Sequence, residues 1–421
     1  MSETPTIIPF IAWDSTRVHA AESIDSLREA GPDEWLRRAT RVRDVLAEHA
    51  AEHDRDGSIP VEGLAALWDE GLGVLGLAPE YGGLGADLPT TVRVVREIAA
   101  GDPSAALIYN MTIVQHWTLS DPRFEFPERL RDEILAESDR PVLLNLFRGE
   151  HDLGTPLYGG FPATTARYVA EEDGQYTWRL QGTKAWGTGS AGLRWMAVWA
   201  VTTDDPEGPR VGNFFVRTDS PGIEILDEWD SLGMRATASH DVKFDDVEVP
   251  AHRVHGLVSL SEASSVSWPA DFGARISLLF LALYSGVAAA SLQWFVDYIK
   301  VRTPPSLGKP LATLPRFQES VGESRVHLVL AQRRIDQLAE DVDSGGERGA
   351  AASQEAWLHK TELNENLIRV AEIPIAILGN PGLSRKNDLQ RHYRNLLSSR
   401  AHGPDRVQSL TLLGSELIGE L

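Results

Sequence analysis

The sequence contains no cysteine, which removes disulfides, thiolate metal sites, iron–sulfur clusters and cysteine nucleophiles together. A reducing compartment is compatible with that absence. Basic charge is also in short supply: 40 lysines and arginines stand against 61 acids, for a formal net charge of −21. Such a field repels phosphate backbones and anionic lipid surfaces, so neither nucleic acid nor a membrane is an expected partner. The opening residues, Met1-Ser2-Glu3-Thr4-Pro5, lack the basic patch and apolar run of a signal peptide, and the cytoplasm is the expected location. No metalloprotease HExxH, hydrolase GxSxG or phosphate-binding P-loop pattern occurs. One charge-free stretch, Ile276–Val296, approaches bilayer-spanning length. Ser277, Ser285, Ser291 and Gln293 interrupt it, so a helix buried on all sides of a bundle is the better account.

With 421 residues, 42% hydrophobic and 24% charged, the chain can fill two or three domains. Helical spacing governs the first part: Pro32-Asp33-Glu34 opens a run through Trp35, Ala39, Val42 and Leu46, and further helices fit Val61–Gly71, Pro89–Ala100 and Pro103–Leu119. Between Tyr158 and Val249 the pattern changes to short alternating or β-branched runs cut by turns such as Glu172-Asp173-Gly174-Gln175, which predicts a small barrel or sandwich. His252 and His255 follow, without a carboxylate or cysteine at ligand spacing, and are expected in a solvated loop with no metal. Longer helices are predicted over Asp271–Val301, Pro315–Val342 and Ala350–Leu378, with shorter ones near Asp388–Arg400 and Asp405–Glu420. The expected class is α+β, mostly α: helices over 1–140, a β domain over 141–258 and a helical bundle over 259–421.

Two motifs invite a cofactor. Gly71-Leu72-Gly73-Val74-Leu75-Gly76 spells the dinucleotide-binding GxGxxG, but a helix precedes it and Pro79 stands where a helix should open. A helix end running into a turn is expected there. In Lys184-Ala185-Trp186-Gly187-Thr188-Gly189-Ser190, an aromatic plate and a small hydroxyl two residues apart share one face of an extended strand. A planar ligand against Trp186 and an ordinary hairpin with a buried tryptophan account for this equally well.

Taken with other segments, that block resembles the acyl-CoA dehydrogenase superfamily. Leu75–Gly85 is similar to its early glycine-rich turn, Gly182–Trp186 to its flavin-binding strand, and Trp229–Asp241 with Val247-Glu248-Val249-Pro250 to a further signature. Arg302, Gly308-Lys309-Pro310 and Phe317-Gln318 match a segment that reaches a neighbouring subunit's cofactor, and Tyr393-Arg394-Asn395 stands where the family has an Arg-Asp step. The resemblance implies a four-helix carboxy-terminal bundle, FAD or FMN, and a homotetramer or homodimer. It assigns cofactor contacts to Trp186, Gly187, Thr188, Ser190, Arg302, Gln318 and Gly379.

The family's dehydrogenases use a glutamate to remove the proton beside a thioester carbonyl. It follows the late Arg-Asp step or lies early in the long central helix. Here no glutamate follows Arg394 before Glu416, and no acid lies between Phe272 and Val296, leaving Asp271 and Asp405 as displaced alternatives. Thr188-Gly189-Ser190 and His402 resemble instead the two-component flavin monooxygenases of this fold, such as dibenzothiophene monooxygenase, although Gly403-Pro404 departs from the residues usual after that histidine. That branch takes reduced flavin from a separate reductase and holds oxygen as a flavin hydroperoxide, which calls for a dry pocket with hydrogen-bond donors. Thr188, Asn145 and His402 are the candidate donors and His116 a candidate on the substrate side; His116 fits a core histidine equally, and Asn145 a strand cap. The expected function is hydroxylation of a small aromatic, apolar or amine substrate. The alternatives are an acyl-CoA or carrier-bound acyl dehydrogenase that passes electrons to an electron-transfer flavoprotein, and a catalytically silent binding protein.

Overall fold

The computed structural model describes residues 6–11, 13, 23–137, 141–153, 160–170, 175–263 and 268–419. Met1–Pro5, Tyr158 and the turn residues Glu172-Asp173-Gly174 lie outside them. An edge strand, β1 (Ile7–Ile8), precedes six helices: α1 (Ile24–Ala30), α2 (Pro32–Asp56), α3 (Val61–Asp69), α4 (Leu88–Gly101), α5 (Pro103–Ser120) and α6 (Glu128–Leu135). Helix α2 starts on Pro32 with Asp33 and Glu34 in its first turn, favourable to the helix dipole, and stops at Gly57 in the left-handed conformation. Its buried Trp35, Ala39, Val42 and Leu46 recur at three- and four-residue intervals. Asp87 and Asp102 cap α4 and α5, accepting the backbone N–H of Thr90 and Ser104 at 2.8 and 2.7 Å.

The middle of the chain supplies β2 (Leu144–Phe147), β3 (Thr165–Ala170), β4 (Tyr176–Gly187), β5 (Trp195–Thr203), β6 (Arg210–Arg217), β7 (Ile223–Leu226), β8 (His240–Pro250) and β9 (Val254–Ser259). Among the described residues all nine strands form one sheet in the order β1-β7-β8-β4-β3-β5-β6-β9, with β2 parallel to β5. The pairing of β1 with β7 means that the amino-terminal segment is not purely helical. The segment of His252 and His255, expected as a solvated loop, is a 3-10 turn running into β9: His252 pairs with Glu133, and the His255 Nε2 meets the Phe124 carbonyl at 2.7 Å. The dinucleotide-like Gly71–Gly76 is a helix end and a 3-10 turn, with Gly73 pressed on the Trp68 ring; a Cβ there would lie 2.4 Å from it.

Helices α7 (Leu260–Ala263), α8 (Ala270–Val301), α9 (Pro315–Asp343), α10 (Gly346–Leu378), α11 (Asn380–Leu383), α12 (Leu389–Leu397) and α13 (Arg406–Ile418) complete the chain. Helix α8 is long and apolar enough to cross a membrane, yet it lies buried among α4, α5, α9, α10 and α12. Helix α5 joins bundle to sheet. The Asn110 amide donates to the Leu279 carbonyl of α8 at 3.2 Å, and the Thr112 hydroxyl donates to the Leu144 carbonyl of β2 at 3.3 Å.

The crossing of α4 and α8 depends on Gly286, where a Cβ would stand 2.2 Å from the Arg96 carbonyl oxygen and 3.0 Å from the Ala99 Cβ. The Arg96 guanidinium, paired with Asp336, also donates to the Ser285 hydroxyl at 2.9 Å across the same crossing. Substituting Gly286→Val forces the helices apart and should cost about 1–3 kcal/mol. A lowered urea midpoint with an unchanged slope is the expected reading.

Candidate active site

Four segments meet around a cavity of about 750 Å³. Its walls are the end of β2 running on to Gly149, the end of β4 from Ala185 to Thr188, the loop Trp229–Ser239, and α12 with the Ser398–His402 turn; Leu107 of α5 forms its base. That volume suits a cofactor together with a small substrate. Trp186 does not sit in a buried hairpin. The β4–β8 register slips between Lys184 and Gly187, Trp186 takes a φ of 57°, and its side chain emerges 47% exposed. The His151 ring stands edge-on to it at 5.2 Å, and His151 Nε2 lies 2.6 Å from the Asp241 carboxylate. Behind the strand, Lys184 is wholly buried with its ammonium 2.6 Å from Glu150. Glu150 also accepts from the Ala163 and Thr164 backbone and from the Thr164 hydroxyl.

Thr188 lines the cavity and ends a hydroxyl chain. Thr237 donates to the Met234 carbonyl at 2.9 Å, Thr237 and Ser239 lie 2.7 Å apart, and the Ser239 hydroxyl lies 3.2 Å from that of Thr188. With the Ser239 hydroxyl donating to Thr188, the Thr188 O–H remains for a ligand. Asn145 acts one step back. Its amide donates to the Thr188 carbonyl at 3.0 Å and its side-chain oxygen accepts from the Leu146 N–H at 2.7 Å, so it positions the strand end and does not line the cavity. Ser190 is buried with its hydroxyl on the Ala238 carbonyl at 2.8 Å, and Gly187 leaves room for the Phe147 ring; neither lines the cavity.

His402 lines the same cavity as Trp186 and Thr188. Its ring stacks on Phe280 at 4.2 Å, and Lys360, fully buried on α10, donates to the carbonyls of His402 and Gly403 at 2.6 and 2.7 Å. Burial, reinforced by the Lys360 charge, pushes the His402 pKa down to about 3, while burial takes that of Lys360 to about 7. At neutral pH the imidazole is therefore uncharged, with one N–H to donate. Arg394 and Asn395 of α12 lock the facing loop. Arg394 pairs with Asp54 and donates to the Leu232 carbonyl at 2.7 Å, and the Asn395 side-chain oxygen accepts from the Met234 N–H at 2.8 Å. Gly233 permits this contact, since a Cβ there would lie 2.2 Å from the Arg394 carbonyl oxygen.

Other expected site residues lie elsewhere. His116 lines a separate cavity of about 60 Å³ with Val74, Leu77 and Tyr81. It stands one helical turn after Thr112, which bonds to β2, so it is turned under that strand and away from the large cavity. Arg302, Gln318 and Gly379 are exposed: Arg302 closes α8, Gln318 donates to the Ala312 carbonyl at 3.0 Å, and Gly379 closes α10. None of the three lines the cavity of its own chain. Sequence reasoning missed Ser239 and Thr237, although both stand within the Trp229–Asp241 signature, and it missed Lys360 and Arg148, for which no local signal exists.

Three acyl-CoA dehydrogenase domains match in order: the N-terminal domain at residues 36–120, the middle domain at 153–247 and the C-terminal domain at 274–413. The chain belongs to the acyl-CoA dehydrogenase family. YdbM of Bacillus subtilis (strain 168), named as an acyl-CoA dehydrogenase, is 28% identical over 371 residues, covering 88% of this chain and 93% of that one. Two solved members of the fold superpose almost equally well. Dibenzothiophene monooxygenase TdsC from Paenibacillus sp. A11-2, in a complex with FMN and indole, gives a TM-score of 0.77 at 22% identity over 91% of this chain and 96% of its own. Butyryl-CoA dehydrogenase from Megasphaera elsdenii gives 0.76 at 21% identity over 92% and 98%. The fold therefore places the chain in the family without choosing between the two chemistries.

His116 is 4% exposed with Nδ1 unpartnered, and burial holds its pKa near about 4, below the ordinary histidine value of 6.5. As pH falls through 6.5 the unfolded chain takes up a proton that the folded one refuses. Stability should accordingly be lost between pH 6.5 and about 4, at roughly 1.4 kcal/mol per pH unit from this group. Urea unfolding of His116→Met across that range should show a correspondingly shallower acid slope.

Proposed function

We propose that the protein is a flavin-dependent monooxygenase, working in the cytoplasm with reduced FAD or FMN and oxygen on a small aromatic, apolar or amine substrate. One observation carries this reading: among the described residues, no aspartate or glutamate lines the cavity that holds Trp186, Thr188 and His402. Dehydrogenation needs a carboxylate in hydrogen-bond reach of the substrate carbon. Asp271 is diverted to Arg123 and Arg275 at 2.7 and 3.1 Å, and the Arg123 hydrogen bond foremost holds its carboxyl below the usual range. Asp405 lines a neighbouring cavity beyond His402 and Pro404.

The residues fit a flavin. Trp186 offers a flat, partly exposed face, Gly149 leaves that ring room where a Cβ would stand 3.0 Å from it, and Thr188 brings a free hydroxyl to the same wall. Bound reduced flavin supplies the two electrons with which oxygen is cleaved, one oxygen atom leaving as water. The chain's part is to bind, to keep water out and to donate protons. His402 and Thr188 present neutral N–H and O–H donors where a base would otherwise strip a carbon acid. A separate reductase delivers the flavin. On this reading Arg302 and Gln318, both exposed in this chain, serve a neighbouring copy's site in a homodimer or homotetramer. The second reading is an acyl-CoA dehydrogenase with a displaced base, favoured by the name of YdbM.

The two readings part in the reaction of the reduced-flavin complex with oxygen. In stopped-flow mixing, a monooxygenase should regain oxidised-flavin absorbance in two resolved phases. A dehydrogenase should purify with oxidised flavin that bleaches anaerobically with an acyl-CoA. Substituting His402→Ala should raise peroxide release and lower product per oxygen consumed by roughly tenfold or more. Unchanged coupling would remove His402 from the mechanism.

A further inference from the structure

A second pocket of about 270 Å³ lies beside the large cavity, and Leu146 and Arg148 line both. Trp199 of β5, Asn213 of β6, Gln115 of α5 and Trp268 form its other walls. The Arg148 guanidinium lies over the Trp199 ring at 4.4 Å and within 5.9 Å of Trp268. Stacking of this kind holds a guanidinium flat but leaves its edge donors unfilled. Among the described residues no carboxylate pairs with Arg148, and its Nε is buried without a hydrogen-bond partner.

The acids outnumber the bases by 61 to 40, and Arg123 in the same pocket is held by both Asp121 and Asp271. The Lys184 ammonium is close enough for Arg148 to help lower its pKa, and the adjacent Glu150 is taken up by Lys184 at 2.6 Å. A guanidinium held away from water without an anion is costly, and an anionic ligand relieves the cost.

We propose that Arg148 is the anchor for a carboxylate-bearing substrate, whose aromatic or apolar body passes Leu146 into the cavity of Trp186, Thr188 and His402. The assignment rests on the reading of that cavity as the reaction site and adds the substrate class: an organic acid of modest size. The fork of N–H donors takes the carboxylate edge-on while Trp199 and Trp268 pack against the guanidinium face and exclude water. Neutral analogues of the same shape leave the donors unpaired and are rejected for that reason.

The test is calorimetric titration of the purified protein with FMN present, read in parallel by tryptophan emission. The probes are benzoate and indole-3-carboxylate, set against benzamide and indole-3-carboxamide. Each acid should bind roughly ten- to hundredfold more tightly than its amide, and Arg148→Gln should abolish the preference while Arg148→Lys keeps part of it. Equal binding of acid and amide to the unsubstituted protein would overturn the proposal without any variant. So would an acid preference that survives in a folded Arg148→Gln protein. Displacement of benzoate by inorganic phosphate or coenzyme A at lower concentration would overturn the carboxylate assignment in favour of a phosphate handle. None of these titrations involves oxygen or turnover, so failure of the monooxygenase reading and failure of this one are separately visible.

Discussion

The docking of α12 on the loop Trp229–Ser239 is the constraint on which the cavity depends. The Asn395 oxygen takes the Met234 N–H, Arg394 grips Asp54 of α2 and the Leu232 carbonyl, and Gly233 lets the two backbones touch. One short helix thus ties the amino-terminal helices, the sheet and the carboxy-terminal bundle together at one point. Met234 in turn accepts from Thr237, which sets the hydroxyl chain through Ser239 to Thr188. The donor at the cavity wall is therefore fixed by a chain of contacts through Ser239, Thr237 and Met234 to Asn395, the arrangement by which a supporting shell orients a reacting group.

Charge is managed around the cavity with the same consistency. Candidate acids are drawn off by arginines: Asp54 by Arg394, which lines the cavity, and Asp271 by Arg123 and Arg275. Lys360 is buried behind His402 and held by two carbonyls, and burial with that neighbouring charge keeps the imidazole neutral. A net charge of −21 resides on the chain, yet the described residues lining the cavity include no carboxylate. Such a wall lacks the carboxylate that takes a proton from carbon, and on the monooxygenase reading proposed above its donors hold oxygen and its reduction products by hydrogen bonds.

Much of this was legible in advance. The helices predicted over Pro103–Leu119, Asp271–Val301 and Pro315–Val342 end within a residue or so of α5, α8 and α9, because apolar periodicity and caps are local properties. The motif around Trp186 and Thr188 was legible for the same reason. The short strands β2, β7 and β9 were not, since four to six residues with no clean alternation carry no periodic signal. His116 stayed open between a core histidine and a substrate-side residue, because a helix seen alone does not say which of its faces meets the sheet and which meets a ligand.

The amino-acid order alone determined the class of fold, the aromatic and hydroxyl pair on one strand end, and the lack of a glutamate at either position where the family's dehydrogenases keep one. Those are statements about neighbours in the chain or about residues that are missing, and both survive without coordinates. Only the tertiary structure decided that Asp271 and Asp405 do not line the cavity, that Asn145 donates to the Thr188 carbonyl and not into the cavity, and that Lys360 bonds the carbonyl of His402. It alone also left Arg148, among the described residues, without an acid between two tryptophans. Each of these depends on which distant segments share a few ångströms of space, and packing sets that distance where chain order does not.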